Sequence, residues 1–157
     1  ELLEDHPELD LILIPGGGGG LASGSAIAAA GIDPEIKVIG CEPEIANDAY
    51  LSLETGKLVP AKDTLTVADG LRTSLGELTF ACLRKYIHEI VTVSESQIVE
   101  AMRFIWERMK IIIEPSSAVP VAALLYDKVD AADKKTGIII TGGNVDLDHL
   151  PWDLLIR

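Results

Sequence analysis

The sequence predicts an α/β fold: a three-layer, open, mostly parallel sheet with helices on both faces. Short β-branched runs alternate along the chain with longer segments that have helical spacing. The length of 157 residues suits a single domain over 1–157, and 48% of the residues are apolar, enough for one sizeable core. Thirteen basic and 25 acidic side chains give a net charge of −12. This balance argues against nucleic acid or an anionic membrane as a partner, because both attract positive charge.

Four β-branched or apolar runs predict the strands in order: Leu9–Pro15, Lys37–Glu42, Glu89–Val93 and Gly137–Thr141. Five segments between them predict helices, in order Leu21–Ala30, Ile45–Thr55, Leu75–Ile87, Ser94–Met109 and Pro120–Val129. The first is Ala-rich, the second is amphipathic, and the third and fifth carry apolar stripes. The fourth opens on a capping box, with Ser94 followed three residues later by Gln97. Ligands of parallel sheets lie beyond the carboxyl ends of strands, so we expect functional residues after Pro15, Gly40 and Thr141.

Targeting signals are not evident in the sequence. No apolar run approaches the 18 residues of a membrane span, and the start lacks a signal-peptide pattern. We therefore expect a cytoplasmic protein. The chain begins at Glu1 without an initiator Met, which suggests that it starts inside a larger protein.

Five consecutive glycines, Gly16 to Gly20, stand between the first strand and a helix. Ordering five consecutive glycines costs a large amount of backbone entropy, and a simple turn does not need that many. Backbone N–H groups without neighbouring Cβ atoms can converge on an anion, and the helix N-terminus adds to the attraction. The run therefore predicts a phosphate-binding loop. It is not a Walker motif, because no Lys-Ser or Lys-Thr pair follows.

The glycine run alone leaves a second interpretation open. Gly17, Gly19 and Ala22 fit the loose dinucleotide fingerprint, and Glu42 follows Ala22 by twenty residues, where a ribose-binding acid would lie. The alternative is therefore an NAD-binding, Rossmann-like half-domain.

Acid and amide side chains are concentrated between Cys41 and Asp48. Pro43 suits the first turn of a helix. Glu42 at the strand end and Asp48 in that turn could face one point, with a backbone carbonyl between them, as a hard divalent cation requires. Capping of the helix N-terminus by acids would explain the same residues.

Two further segments carry candidate functional groups. Thr141 and the two glycines after it could hydrogen-bond a planar ligand and let it approach the backbone, although a strand-ending turn has the same composition. Glu114 follows an apolar run and precedes Pro115 at a helix start. It is either a functional carboxylate or a solvated helix cap.

Six segments, taken together in their order and separations, match one known family over essentially the whole chain. They are Gly17–Leu21, Glu42–Asp48, Ala68–Gly70, Trp106–Lys110, Glu114–Ala118 and Thr141–Asp146. The chain resembles the serine racemase and serine/threonine dehydratase family of pyridoxal-phosphate enzymes, which have the tryptophan-synthase-β fold (fold type II). This agreement favours pyridoxal phosphate over NAD as the cofactor.

The resemblance implies roles for the cofactor-binding residues. The loop that binds the cofactor phosphate through backbone N–H groups would be Gly17, Gly18, Gly19, Gly20 and Leu21. Thr141 matches the hydroxyl that hydrogen-bonds the pyridine nitrogen, where relatives often have Ser. Gly70 matches a backbone position beside the ring, and Glu114 matches an acid near it, the one candidate catalytic group of this chain. Gly16 departs from the family pattern, because relatives usually carry a small aliphatic residue at this position.

The resemblance also implies a divalent-cation site for Mg²⁺, Ca²⁺ or Mn²⁺. Its ligands would be Glu42, the carbonyl of Ala46, and Asp48, as in serine racemases and their hydroxyaspartate-dehydratase relatives. A neutral hydroxyl at Thr141 cannot keep the pyridine nitrogen protonated as a carboxylate would. The ring would then be a moderate electron sink, suited to β-elimination with a good leaving group.

The family's Schiff-base lysine motif, of the Ser-Phe-Lys-x-Arg-Gly type, is missing from this chain, and all eight lysines have polar or surface contexts. The resemblance thus implies the C-terminal half of a large domain, with the N-terminal half and the small domain absent. The implied reaction of the parent enzyme is β-elimination (ammonia-lyase or dehydratase) or racemisation of serine, threonine or 3-hydroxyaspartate. The isolated chain would be a non-catalytic phosphate-binding fragment. We expect a small amino-acid substrate, the missing half and a homodimer as partners.

Overall fold

A computed structural model describes residues 1–62 and 65–154 of the chain. Its sheet has four parallel strands: β1 (Leu11–Pro15), β2 (Lys37–Pro43), β3 (Glu89–Val93) and β4 (Thr136–Ile138). Their order across the sheet is β3-β2-β1-β4. Strands β1 and β2 therefore lie in the centre, and their carboxyl ends meet at one edge.

Helices cover both faces of the sheet. They are α1 (Leu2–Asp5), α2 (Gly20–Ile32), α3 (Asp48–Thr55), α4 (Glu77–Tyr86), α5 (Glu95–Met109) and α6 (Pro115–Leu125), with 3-10 turns at Asp69–Leu71 and Pro151–Leu154. Leu11 and Leu13 pack on α5 and α6, whereas Ile12 and Ile14 point to the other face and pack on α1, α2, α3 and α4. The predicted three-layer parallel fold is confirmed.

The predicted apolar stripe Pro120–Val129 covers only part of the last helix. This helix begins at Pro115, as the first-turn position of that proline predicts, and no amphipathic stripe marks its start because the segment up to Ala123 is buried all round. Pro43 does not open α3: it is the last residue of β2, and α3 begins at Asp48. The last strand is also shorter than predicted, so that Thr141 lies in the loop beyond β4.

The capping box that starts α5 is confirmed. The Ser94 hydroxyl accepts the Gln97 N–H, and the Gln97 side chain accepts the Ser94 N–H at 2.9 Å. We expect Ser94→Ala to lower the free energy of unfolding by about 1 kcal/mol, because the first turn loses an acceptor for its free N–H groups. Urea unfolding measures this effect, and Ser25→Ala, in the middle of α2, is the matched serine control. Equal unfolding midpoints for the two variants would contradict the assignment.

Strands β3 and β4 form the two edges of the sheet. Apolar side chains are exposed at several sites that include Met109, Ile111, Ile112, Ile140 and Leu147. Within the described residues, no helix is both long and apolar enough to cross a membrane.

Candidate functional site

The carboxyl ends of β1 and β2 bring the glycine run beside the acidic segment. Pro15 pairs with Cys41, and the Gly16 N–H donates to the Cys41 carbonyl at 2.9 Å. Parallel pairing therefore joins two segments that are 25 residues apart in sequence at the edge where ligands of such sheets bind. The loop after β4 leaves the same edge, because β4 pairs with the other side of β1.

The glycine loop has a backbone that requires glycine at two positions. Gly17 has φ +62°, and Gly19 has φ +80° as the residue that caps α2. Left-handed φ values of this kind are unfavourable for residues with a Cβ atom. The loop ends on the N-terminus of the 13-residue helix α2, which presents free N–H groups and the positive end of the helix dipole.

The walls of the glycine loop are tightly packed. A Cβ atom on Gly19 would lie 2.6 Å from Leu75 Cδ1 and 3.0 Å from Thr79 Cβ. The Thr79 hydroxyl contacts the Gly18 carbonyl at 3.0 Å. A Cβ atom on Gly20, in contrast, would meet no atom within 4 Å. Leu75 and Thr79 thus fix one side of the loop, and the side at Gly20 stays open. An open side at a helix N-terminus fits a binding site for a phosphate group.

Two acidic side chains of the predicted cation site are buried. Glu42 is 1% exposed and Asp48 is 4% exposed. Glu42 Oε2 accepts the Tyr50 N–H at 2.9 Å, and Asp48 Oδ2 accepts the Leu75 N–H at 2.8 Å. Burial raises the pKa of Glu42 to about 8, with a smaller contribution from the negative charge of Asp48, and burial also raises the pKa of Asp48.

One oxygen of the acid pair lacks a partner. Glu42 Oε1 is buried and has no hydrogen-bond partner among the described residues. Ala46, which is 9% exposed, lies in the turn between the two acids. Within residues 1–62 and 65–154, however, no three His, Cys, Asp or Glu side chains come together as metal ligands. The Asp48 carboxylate is close enough to raise the pKa of Glu42, and the third predicted ligand is a backbone carbonyl.

The loop after β4 is held by the first turn of α6. The buried Ser117 hydroxyl contacts the Thr141 hydroxyl at 2.9 Å and accepts the N–H groups of Thr141 and Gly142. Glu114 Oε2 accepts the Asn144 N–H at 3.0 Å, and the Glu114 N–H donates to the Gly142 carbonyl. Glu114 therefore ties the loop to the helix, while Thr141 itself is exposed.

Gly70 is held by the same helix turn. Its N–H donates to the buried Ser116 hydroxyl at 3.1 Å. The loops that carry Gly70 and Thr141 are thus fixed by adjacent serines at the second and third positions of α6. Sequence reasoning gave these serines no role. Two adjacent serines in the first turn of an otherwise apolar helix were the available signal, because buried hydroxyls need partners.

The lysines do not enter this arrangement. All are exposed except Lys134, which is half-buried and pairs with Asp130 at 3.1 Å. Those surroundings lack the desolvation that activates an amine as a nucleophile.

A model of the pyridoxal-phosphate dependent enzyme family matches residues 1–142. A beta-hydroxyaspartate dehydratase of Paracoccus denitrificans is 45% identical over 153 residues, covering 98% of this chain and 49% of that protein. A serine racemase of Dictyostelium discoideum is 48% identical over 157 residues, covering 96% of this chain and 48% of that protein. The structure of maize serine racemase matches with a TM-score of 0.89 at 41% identity, over 99% of this chain and 48% of that chain. The chain spans about half the length of the curated relatives it matches.

These findings argue against the NAD-binding alternative. The family match is to pyridoxal-phosphate enzymes, and the solved relatives share the expected fold type II architecture. The burial of Glu42 gives a physical reason, since its carboxylate packs against Gly16 and does not present itself to a ribose.

Proposed function

The chain belongs to the pyridoxal-phosphate dependent enzyme family, and we propose that it supplies the phosphate and ring-nitrogen contacts of an enzyme acting on small hydroxy amino acids. The proposed reaction is β-elimination, as in an ammonia-lyase or dehydratase, or racemisation. The substrates would be serine, threonine or 3-hydroxyaspartate. Pyridoxal phosphate supplies an electron sink that stabilises negative charge at the α-carbon of its substrate.

The glycine loop is the observation that carries this proposal. The loop has two left-handed glycines, one side packed against Leu75 and Thr79, and the N-terminus of α2 at its end. These features fit a phosphate dianion held by backbone N–H groups. We assign this role to Gly17, Gly18, Gly19, Gly20 and Leu21. The role needs no basic side chain, which agrees with the acidic composition of the chain.

The loop after β4 would contact the pyridine ring. Thr141 is exposed beyond the strand end, so its hydroxyl is available to the ring nitrogen. A neutral hydroxyl cannot keep that nitrogen protonated, and we expect the moderate electron demand that suits loss of a β-hydroxyl group. Gly70 would approach the ring through its backbone. Glu114, held by the Asn144 N–H, would be the acid near the ring.

We further propose that Glu42, Asp48 and the Ala46 carbonyl bind Mg²⁺, Ca²⁺ or Mn²⁺. The support is the buried Glu42 Oε1, which has no partner within the described residues, and the raised pKa of both acids, because two buried carboxylates are costly to ionise without a compensating cation. The site would tie β2 to α3 beside the glycine loop rather than take part in bond breaking.

A homodimer and a cytoplasmic location stay predictions of the sequence. The exposed apolar residues along Met109–Ile112 support a contact with a second polypeptide segment or a second copy. Size-exclusion chromatography at several concentrations tests the dimer.

We expect no lysine of this chain to form the covalent link to the cofactor, because none has a desolvated side chain beside the glycine loop. The protein is incubated with pyridoxal phosphate, reduced with borohydride and mapped by peptide mass. We expect scattered modification at most, together with cofactor binding that inorganic phosphate competes away. A single dominant modified lysine within these 157 residues would overturn the proposal that the anchoring lysine lies outside them.

Activity is tested on the whole protein with L-serine, L-threonine and 3-hydroxyaspartate. Elimination is followed by release of ammonia and a 2-oxo acid, and racemisation by chiral chromatography. Turnover of none of these substrates by the cofactor-loaded protein would contradict the proposed function.

A further inference from the structure

The Ser117 hydroxyl makes more hydrogen bonds than its position in an apolar helix would suggest. Ser117 is fully buried, and its Oγ lies 3.0 Å from the Thr141 N, 2.9 Å from the Gly142 N and 2.9 Å from the Thr141 hydroxyl oxygen. It also lies 3.0 Å from the Gly142 carbonyl oxygen. These four contacts all involve the loop that carries Thr141.

The direction of each hydrogen bond follows from the number of available groups. A serine hydroxyl has one hydrogen and two acceptor lone pairs. Backbone N–H groups can only donate, so Thr141 and Gly142 occupy both lone pairs of Ser117. Ser117 then cannot accept from the Thr141 hydroxyl, and two oxygens at 2.9 Å need a hydrogen between them. Ser117 must therefore donate to Thr141 Oγ1, sharing its hydrogen with the Gly142 carbonyl.

The hydrogen of Thr141 is consequently directed away from Ser117. Thr141 is exposed, so its hydroxyl hydrogen faces the open side of the loop. We propose that Ser117 is a positioning residue that fixes the Thr141 hydroxyl as a hydrogen-bond donor to the ring nitrogen of the cofactor. This inference rests on the proposed function, in which Thr141 contacts that nitrogen. A nitrogen that accepts this hydrogen bond carries no proton of its own.

The adjacent serine provides a matched control. Ser116 is also buried in the same helix turn, but its hydroxyl accepts the Gly70 N–H and makes no hydrogen bond to Thr141. Loss of either hydroxyl disturbs a loop of the site, and only loss of Ser117 changes the hydrogen bonding of Thr141.

The test uses two measurements on Ser117→Ala and Ser116→Ala. In the cofactor-free protein, we expect amide hydrogen exchange at Thr141 and Gly142 to become about fivefold faster in Ser117→Ala, the effect of one lost hydrogen bond each. Ser116→Ala should leave these two amides unchanged. In the holoenzyme, cofactor labelled with ¹⁵N in the ring reports protonation of the ring nitrogen by its chemical shift.

We expect a shift typical of an unprotonated, hydrogen-bonded nitrogen in the unaltered protein and in Ser116→Ala, independent of pH. In Ser117→Ala the Thr141 hydroxyl can turn and accept, so the shift should move towards the protonated value as the pH falls. A ¹⁵N shift and pH profile identical to those of the unaltered protein would overturn the inference. Ser117→Cys, which keeps a weak donor of similar size, should fall between the two and serves if the alanine variant does not fold.

Thr141→Val separates this inference from the proposed function. If removal of the Thr141 hydroxyl leaves the ¹⁵N shift unchanged, Thr141 does not contact the ring nitrogen and the proposed ring contact fails. If Thr141→Val changes the shift and Ser117→Ala does not, only the role of Ser117 fails. When both roles hold, Ser117→Ala should have no further effect on the shift in the Thr141→Val background.

Discussion

Gly19→Ala is expected to remove most of the protein's affinity for pyridoxal phosphate. The new Cβ atom would meet Leu75 Cδ1 at 2.6 Å, and the φ of +80° is strained for alanine. Overpacking and left-handed strain each cost about 1–3 kcal/mol. Leu75 Cδ1 can move aside, but the strain at φ +80° is relieved only by turning the backbone N–H groups away from their common point, so we expect at least about 30-fold weaker binding, or about 2 kcal/mol.

Cofactor fluorescence titration measures this loss, and a phosphate-competition titration shows whether it lies at the phosphate end. Gly24→Ala is the matched control, because it lies in the same helix and an added Cβ atom meets nothing within 4 Å. We expect Gly24→Ala to bind normally and to gain about 0.5–1 kcal/mol of stability. Normal binding by Gly19→Ala would remove the glycine loop from the phosphate site.

Glu42→Gln is expected to change how stability depends on pH. Burial raises the pKa of Glu42 from 4.5 in the unfolded chain to about 8, so the native state holds a proton that the unfolded state releases between these values. The contribution of Glu42 to the free energy of unfolding is thus fully present below its unfolded-state pKa of 4.5 and is lost as the pH rises through about 8. The slope is at most about 1.4 kcal/mol per pH unit. Glutamine carries no titrating proton, so the variant loses this slope and becomes the more stable form near pH 8.

A divalent cation should reverse this trend in the unaltered protein. Its binding replaces the Glu42 proton, so the rise in melting temperature on adding Mg²⁺, Ca²⁺ or Mn²⁺ should grow as the pH approaches 8. Glu42→Gln should abolish the rise, while Glu44→Gln, at an exposed acid two residues away, should keep it. Thermal unfolding in chelator and in each cation measures both effects. An equal rise in melting temperature on adding cations in the Glu42 and Glu44 variants would contradict the cation proposal.

Local signals were sufficient for most of the fold. The strand Glu89–Val93 has the predicted bounds, and the Ser94–Gln97 capping box starts α5 as expected, because both depend on short-range chemistry. The apolar stripe placed α6 too late, from Pro120, since nine consecutive buried residues leave no polar side to mark the helix, and Pro115 alone indicated its start. The predicted helix Leu75–Ile87 begins instead at Glu77, as α4. Leu75 lies ahead of it and is buried against the glycine loop, whereas Leu78, inside the predicted stripe, is 78% exposed.

The sequence by itself determined the alternation of strands and helices, the glycine loop and the family resemblance, because each is written in the types and spacing of neighbouring residues. Only the tertiary structure decided which groups meet. Parallel pairing of β1 with β2 places Gly16 against Glu42, and the packing of α6 places Ser117 against Thr141. Contacts of this kind join residues more than 20 positions apart. They depend on which strand pairs with which and on how α6 packs against the sheet, and the spacing of neighbouring residues identifies neither partner.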